Sequence, residues 1–230
     1  MDSLTRGRRA AKNGAMDQPA APPGERTLTE RGRRTRQKLL EAAEAVFGER
    51  GYEHASVAEI TQRAGVAQGT FYVYFPDKLT VFVKLVDDLG DRLRAEIRQG
   101  LQGLTDRIDV EREGFRSFFK FVARHRALYR IVRQAEFVDR AVFERYYRRM
   151  GDAYAKGLKA AAEKGQIEPL DPEITAYSLM GLADFLGMRF ILWESAPQID
   201  RVVEQAMELI RHGLEPAARR EAARGGAKKR

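Results

Sequence analysis

From Thr29 to Gly213 the apolar residues recur at steps of three and four, and no alternating run long enough for a half-buried strand interrupts them. That period belongs to amphipathic helices. Proline agrees, since none occurs between Pro76 and Pro169 and a long stretch is therefore free of the residue that breaks helix interiors. The expected fold class is all-α. A first helix is expected from about Arg33 to Arg50, with Leu39, Leu40, Ala43, Val46 and Phe47 on one face and Gly51 as a left-handed cap. Ser56-Val57-Ala58-Glu59 spells a capping box, so a second helix starts there with Val57, Ile60 and Ala64 on its apolar face. After the turn Gly65-Val66-Ala67 a short helix spans about Gln68 to Tyr74. Pro76 stops it, and Asp77 caps a fourth helix that runs to about Gln99. Asp171-Pro172-Glu173 opens another helix, expected to reach Glu194, and after Pro197 a last one runs to about His212.

Composition narrows the class. The chain has 230 residues, 43% hydrophobic and 32% charged, with a net charge of +8, a balance able to bury a core. It has no cysteine, which excludes a disulfide framework, thiolate zinc, iron–sulfur clusters and a cysteine nucleophile, and makes a cytoplasmic setting the expectation. The first nine residues do not read as a secretory signal. The most apolar run, Met180 to Trp193, covers 14 residues and carries Asp184 and Arg189, short of the roughly 20 that a membrane span needs. His54, His125 and His212 are scattered, and no His-Glu-x-x-His, Gly-x-Ser-x-Gly or phosphate-binding glycine loop occurs, so no enzyme, metal or cofactor is expected. Residues 1–28 and 215–230 read as a disordered basic arm and a disordered basic tail. Two domains are left, 29–76 and 77–214.

Two short helices joined by a glycine-containing turn form a helix-turn-helix, whose second helix enters the major groove of DNA. Here that helix concentrates Gln68, Thr70, Tyr72 and Tyr74, hydrogen-bonding side chains on an element too short to be held by its own burial. The stretch Thr35-Arg36-Gln37-Lys38-Leu39-Leu40-Glu41-Ala42-Ala43, then Gly51-Tyr52, Ser56 to Ile60, and Ala64-Gly65-Val66-Ala67-Gln68-Gly69-Thr70-Phe71-Tyr72-Val73-Tyr74-Phe75-Pro76-Asp77-Lys78 resembles the TetR family of bacterial transcriptional regulators. The resemblance implies a homodimer, with a three-helix DNA-binding domain followed by a helical domain that binds an effector and dimerises. It also implies that Tyr72, Tyr74 and Lys78 hold phosphates, with Ser56 and Thr35 doing so from the starts of their helices, while Gln68, Gly69, Thr70 and Val73 face the bases. Arg34, in the cluster Arg31-Gly32-Arg33-Arg34, is placed on the DNA backbone or in the minor groove, or else on solvated surface. One departure is Ala67, where the family usually has a Ser or Thr cap. Phe47, Phe71 and Phe75 read as the small domain's core.

The same resemblance assigns the last two long helices to the dimer interface, through Tyr177, Gly181, Phe185, Met188, Leu192, Val202, Ala206 and Ile210; for any one of these an intrachain core is the alternative. A dimer implies a palindromic operator with half-sites about 34–36 Å apart. Between the domains' ends, Glu113 to Tyr154 interleaves aromatics with arginines, and residues 107–150 carry a net +6. Ligand sites in helix bundles are mostly apolar with a few placed polar groups. The candidates are Phe115, Phe118, Phe119, Val122, Arg130, Arg133, Phe143, Tyr146, Tyr147, Met150 and Phe185, against the alternative of plain core packing coated by arginine. The charge favours an anionic effector. Leu128 to Phe137 together with Gly181 to Gly187 looks like TetR-type regulators of fatty-acid and acyl-CoA metabolism, which implies an acyl-CoA. The function expected is a repressor released by such an effector; the alternatives are a constitutive or protein-partnered regulator, and a nonspecific architectural DNA protein.

Overall fold

The computed structural model describes residues 28–214; all but Leu28 of the expected arm (1–28), and the expected tail (215–230), lie outside the described residues. Among these, nine α-helices and one π-helical turn occur and no strand. The helices are α1 Glu30–His54, α2 Val57–Ala64, α3 Gln68–Tyr74, α4 Lys78–Gly100, α5 Arg107–Arg124, α6 Leu128–Val138, α7 Arg140–Glu163, α8 Pro172–Leu186 and α9 Ile199–Leu214. The π turn, Gly187–Leu192, follows α8 without a break.

Local chemistry sets these boundaries. The Thr29 hydroxyl accepts from the Gly32 N–H at 3.2 Å, so α1 starts three residues before the expected Arg33. At Gly51 the backbone adopts φ 78° and ψ 166°, open to glycine and strained for any side chain. The chain bends there instead of ending, and one further turn reaches His54. The capping box forms as expected: Ser56 Oγ accepts from Glu59 N at 3.2 Å, and Glu59 Oε2 accepts from Ser56 N at 3.0 Å. The Ser56 hydroxyl also donates to Glu59 Oε2 at 2.9 Å, and this bond, with that from the Ser56 N–H, holds the Glu59 carboxyl below its usual range. Gly65, at φ 67° and ψ 35°, ends α2 in the left-handed conformation. Ala67 gives α3 no side-chain cap, and Asp77 starts α4 by accepting from Thr80 N at 2.6 Å.

Phe47, Phe71, Phe75 and Phe82 are fully buried where α1, α3 and α4 meet. The core continues through α4 and α6 into a bundle of α4, α5, α7 and α8, with α9 packed on α5. α8 and the π turn together make a 21-residue segment, Pro172–Leu192. This is longer than the expected 14-residue run and, by length and composition alone, apolar enough to cross a membrane. Its outer face carries Ile174, Phe185, Phe190 and, just beyond, Trp193, all exposed. α9 turns Val203, Ala206, Met207, Ile210 and Leu214 inward. Ala206 and Ile210, expected at a dimer surface, are therefore core residues of this chain; among the apolar residues of α9 the outward one is Leu209.

Candidate nucleic-acid interface and ligand cavity

α3 is held from below and open above. Phe71 and Phe75 anchor it in the core, while Gln68, Gly69, Tyr72 (52% exposed) and Val73 (75% exposed) face outward, with Thr70 and Tyr74 half-buried at the edges. A valine that exposed, beside a tyrosine and a glutamine, gives the face the methyl, hydroxyl and amide chemistry that reads base edges and phosphates. Arg34 is exposed and pairs with Glu30 one turn back.

Three expected phosphate contacts are otherwise engaged. Lys78 Nζ donates to the carbonyls of Tyr52 (2.9 Å), Glu53 (3.3 Å) and Ala55 (3.1 Å), and lies 4.5 Å from the Tyr52 ring centroid. Its three N–H donors are spent on the C-terminal carbonyls of α1, where a cation is favoured by the helix dipole. The Ser56 hydroxyl is used within its capping box. Thr35 does not start a helix, because α1 begins five residues earlier, and its hydroxyl donates to the Arg31 carbonyl at 3.0 Å.

The second feature is a cavity of about 400 Å³ lined by α4, α5, α6, α7 and α8. Phe115, Phe118, Tyr146, Tyr147, Met150 and Arg133 line it, as expected. The remaining candidates do not. Phe119 and Val122 are buried in the core, Phe143 meets Tyr147 edge-on with ring centroids 4.9 Å apart, and Phe185 is exposed on the outer face of α8. Arg130 donates from Nη1 to the carbonyls of Gly48 and Glu49 on α1, each at 2.9 Å.

Several lining residues were not anticipated: Arg94 and Arg98 on α4, Arg107 and Glu111 on α5, Tyr129 on α6, Tyr154 on α7 and Asp184 on α8. A signal for two of them existed, since Arg107 and Glu111 stand at helical spacing in the stripe that continues through Phe115 and Phe118, which makes them charges on an apolar face. Asp184 lies 3.5 Å from Arg133, and its backbone carbonyl accepts from the Tyr129 hydroxyl at 2.7 Å. Burial raises the Asp184 carboxyl above the usual range against the pull of Arg133. Burial likewise pushes the phenols of Tyr129, Tyr146 and Tyr154 far up, and that of Tyr147 to about 12, so all four stay neutral donors. Among the described residues no cluster of His, Asp and Glu could hold a metal.

α6 joins the two features. One face, with Leu128, Tyr129, Val132 and Arg133, lines the cavity. The other presses on α1: Arg130 binds the Gly48 and Glu49 carbonyls, Gln134 Oε1 accepts from the Tyr52 N–H just past the Gly51 bend, and Ala127 lies against Gly48. Nearby, Glu44 of α1 takes Arg92 of α4 and His125, at the end of α5, each at 2.8 Å.

Residues 39–85 match the family model of bacterial regulatory proteins, tetR family. The chain is 34% identical over 103 residues to the HTH-type transcriptional activator FasR of Mycolicibacterium smegmatis, covering 45% of this chain and 47% of that protein. Matches to the first curated relatives thus span about half of their length or less. Among solved structures, the fatty acid degradation regulator FadR from Bacillus halodurans is similar with a TM-score of 0.69 at 25% identity, over 76% of this chain and 93% of that one. The regulator FadR from Bacillus subtilis in complex with stearoyl-CoA is similar with a TM-score of 0.65 at 21% identity, over 75% and 96%.

Proposed function

We propose that this chain is a DNA-binding transcriptional regulator of the TetR family rather than an enzyme, a reading supported by the family match over residues 39–85, and that it is a homodimeric repressor released from a palindromic operator by an acyl-CoA or a similar anionic amphiphile. One observation carries the reading: the same short helix, α6, forms a wall of an arginine-bearing apolar cavity and is hydrogen-bonded to the first helix of the DNA-binding domain. A ligand that displaces Arg133 or Tyr129 must act on the helix that carries Arg130 and Gln134. Coupling of about 1–3 kcal/mol between the two sites would change operator affinity some 5- to 150-fold. α4, which caps α1 through Lys78 and lines the cavity through Arg94 and Arg98, is a second lever.

The anionic class follows from Arg94, Arg98 and Arg133 on the cavity wall, and the apolar remainder suits an acyl chain. A solved relative of this fold holds stearoyl-CoA, which supports the class without fixing the chain length. The dimer reading rests on exposed apolar residues of the last two long helices, Ile174, Tyr177 and Phe185 on α8 and Leu209 on α9; Gly181 is exposed as well, and Met188, Leu192 and Val202 are half-buried. Such a regulator works in the cytoplasm, beside the DNA.

The test is selection of sites by the purified protein from a random DNA pool, followed by titration of the best site with thioesters of several chain lengths. An enriched palindrome, bound by a dimer and released by a thioester, is the expected result. A palindrome indifferent to every thioester overturns the effector assignment, and no enriched sequence overturns the DNA-reading role of α3.

A further inference from the structure

From Gly187 to Leu192 the backbone that continues α8 runs in the π register, and the Trp193 N–H donates to the Met188 carbonyl, five residues back, at 3.2 Å. An α-helix would bring that N–H to Arg189, four residues back. A π helix is rare, occurs mostly as a single turn and is frequent at functional sites. Here both ends of the turn are held by one short stretch of chain. Before the register changes, the Asp184 carbonyl accepts from the Tyr129 hydroxyl at 2.7 Å. At the other end Arg126 Nη2 donates to the Leu192 carbonyl, and Nη1 and Nη2 each lie 3.4 Å from the carbonyl oxygen of Glu194. Gly187 leaves the room for this, since a Cβ there would stand 2.5 Å from the Tyr129 hydroxyl and 3.1 Å from the Phe118 ring. The residues that follow Arg126 and Tyr129 in sequence, Ala127 and Arg130, are the ones that meet α1.

Tyr129 is buried and also lines the cavity. A phenol carries a single O–H donor. A ligand oxygen that takes that donor, or an acyl chain that pushes the ring aside, removes it from the Asp184 carbonyl and clears the space over Gly187. We infer that Gly187–Leu192 is a register switch and Tyr129 its positioning residue: Tyr129 bonded to Asp184 holds the π turn, and a ligand that claims Tyr129 lets the turn return to the α register. That change moves the register by one residue, which turns whatever follows by ~100° about the helix axis. Phe190 and Trp193, exposed beside the outer apolar residues of α8, are re-aimed by it. The inference rests on the effector reading of the cavity and gives it a second output, at the end of α8.

Trp193 is the chain's single tryptophan, and its own N–H closes the π turn, so its fluorescence reports the register. The Arg189 guanidinium stands 6.0 Å from its ring centroid, a charge whose displacement changes the emission. The full chain is titrated with octanoyl-, dodecanoyl- and hexadecanoyl-CoA, with binding read by calorimetry, Trp193 by emission and acrylamide quenching, and assembly by sedimentation. Tyr129→Phe removes the donor and keeps the ring, while Gly187→Ala displaces the hydroxyl and favours the α-helix. Without ligand, each variant should show the emission that the parent reaches at saturation, and each should lose any further response to a thioester; if Gly187→Ala does not fold, Tyr129→Phe decides. A thioester that binds the parent and leaves Trp193 unchanged overturns the inference and keeps the effector reading. Variants with the parent's ligand-free emission overturn it too, as does a Trp193 change that comes only with dissociation of the dimer. Heat from none of the thioesters overturns the acyl-CoA reading instead, and the ligand-free emission of the variants then decides the switch.

Discussion

Gly48→Ala probes the junction on which the coupling depends. A Cβ at 48 would lie 2.5 Å from the Ala127 Cβ, whereas carbon atoms in contact settle at about 3.5–4.0 Å. The Ala127 methyl is fixed to its backbone and has no rotamer to escape into, so α1 and α6 must part by roughly 1 Å to reach that contact distance. Overpacking of this kind costs about 1–3 kcal/mol, and replacing a mid-helix glycine by alanine returns about 1 kcal/mol. The parting also stretches the two 2.9 Å bonds from Arg130 to the carbonyls of Gly48 and Glu49, which keeps the balance unfavourable, at about 1–2 kcal/mol. For a protein of this size that lowers Tm by about 2–8 °C. Ala127→Gly removes the opposing methyl at the N-cap just before α6, where glycine is tolerated at least as well as alanine. The assay is thermal unfolding of the two single variants and the double. A coupling near 1 kcal/mol, with the double more stable than Gly48→Ala alone, is expected for residues in contact. If Gly48→Ala is as stable as the parent and the two changes simply add, α1 and α6 do not touch there and the route from cavity to DNA-binding domain is refuted.

Three further outcomes are expected. Ala67→Ser supplies the side-chain cap that α3 lacks, at a residue already in the extended N-cap conformation (φ −66°, ψ 148°); it should add about 1 kcal/mol, read as a Tm higher by a few degrees. Lys78→Met should cost about 1–3 kcal/mol of stability by uncapping α1, while the slope of log affinity for DNA against log salt stays unchanged; a slope reduced by about one would return Lys78 to a phosphate. Asp184 titrates above the ordinary 3.8 because it is buried. As pH falls towards that raised value the wall loses a negative charge beside Arg133, so an anionic thioester should bind more tightly; Asp184→Asn should flatten this dependence, and a pH profile identical to the parent's would detach Asp184 from the site.

What the sequence revealed and what it hid divide on locality. The limits of α2 and α3, the capping box at Ser56, the uncapped Ala67 and the start of α4 at Asp77 follow from residues within four positions of one another, and all are legible because capping is a local hydrogen bond. The cap that Lys78 places on α1 was not legible, because its partners, the carbonyls of Tyr52, Glu53 and Ala55, lie 23 to 26 residues away. Phe119 and Val122 were misplaced for another reason. A residue lining an empty cavity and one packed in a core share the same apolar chemistry, so α5 announces its buried positions without saying that Phe115 and Phe118 face a void and Phe119 does not. Ala206 and Ile210 fail likewise: the inward stripe of α9 meets α5 of its own chain, and composition does not say whose core a stripe completes.

The arginines of the aromatic segment show how one charge pattern can serve distinct ends. Arg130 and Arg133 are three residues apart on α6, yet one grips α1 through two carbonyls and the other faces the cavity beside Asp184. Arg107 is buried against Glu111, and Arg145 reaches Asp87 on α4 at 3.2 Å. The excess positive charge of residues 107–150 is therefore not one patch but several fixed contacts. A diffuse basic surface would attract any polyanion, and its effect would fade with salt. Fixed guanidinium forks instead bind particular oxygens with a set geometry. Here those oxygens belong to the α1 backbone on one face of α6 and, on the other, to Asp184 and, in the proposed function, an incoming head group. On the proposed function, a ligand that moves a helix held on both faces in this way strains the bonds on the other face, and that is how an eleven-residue segment, Leu128–Val138, would carry a signal between the two domains.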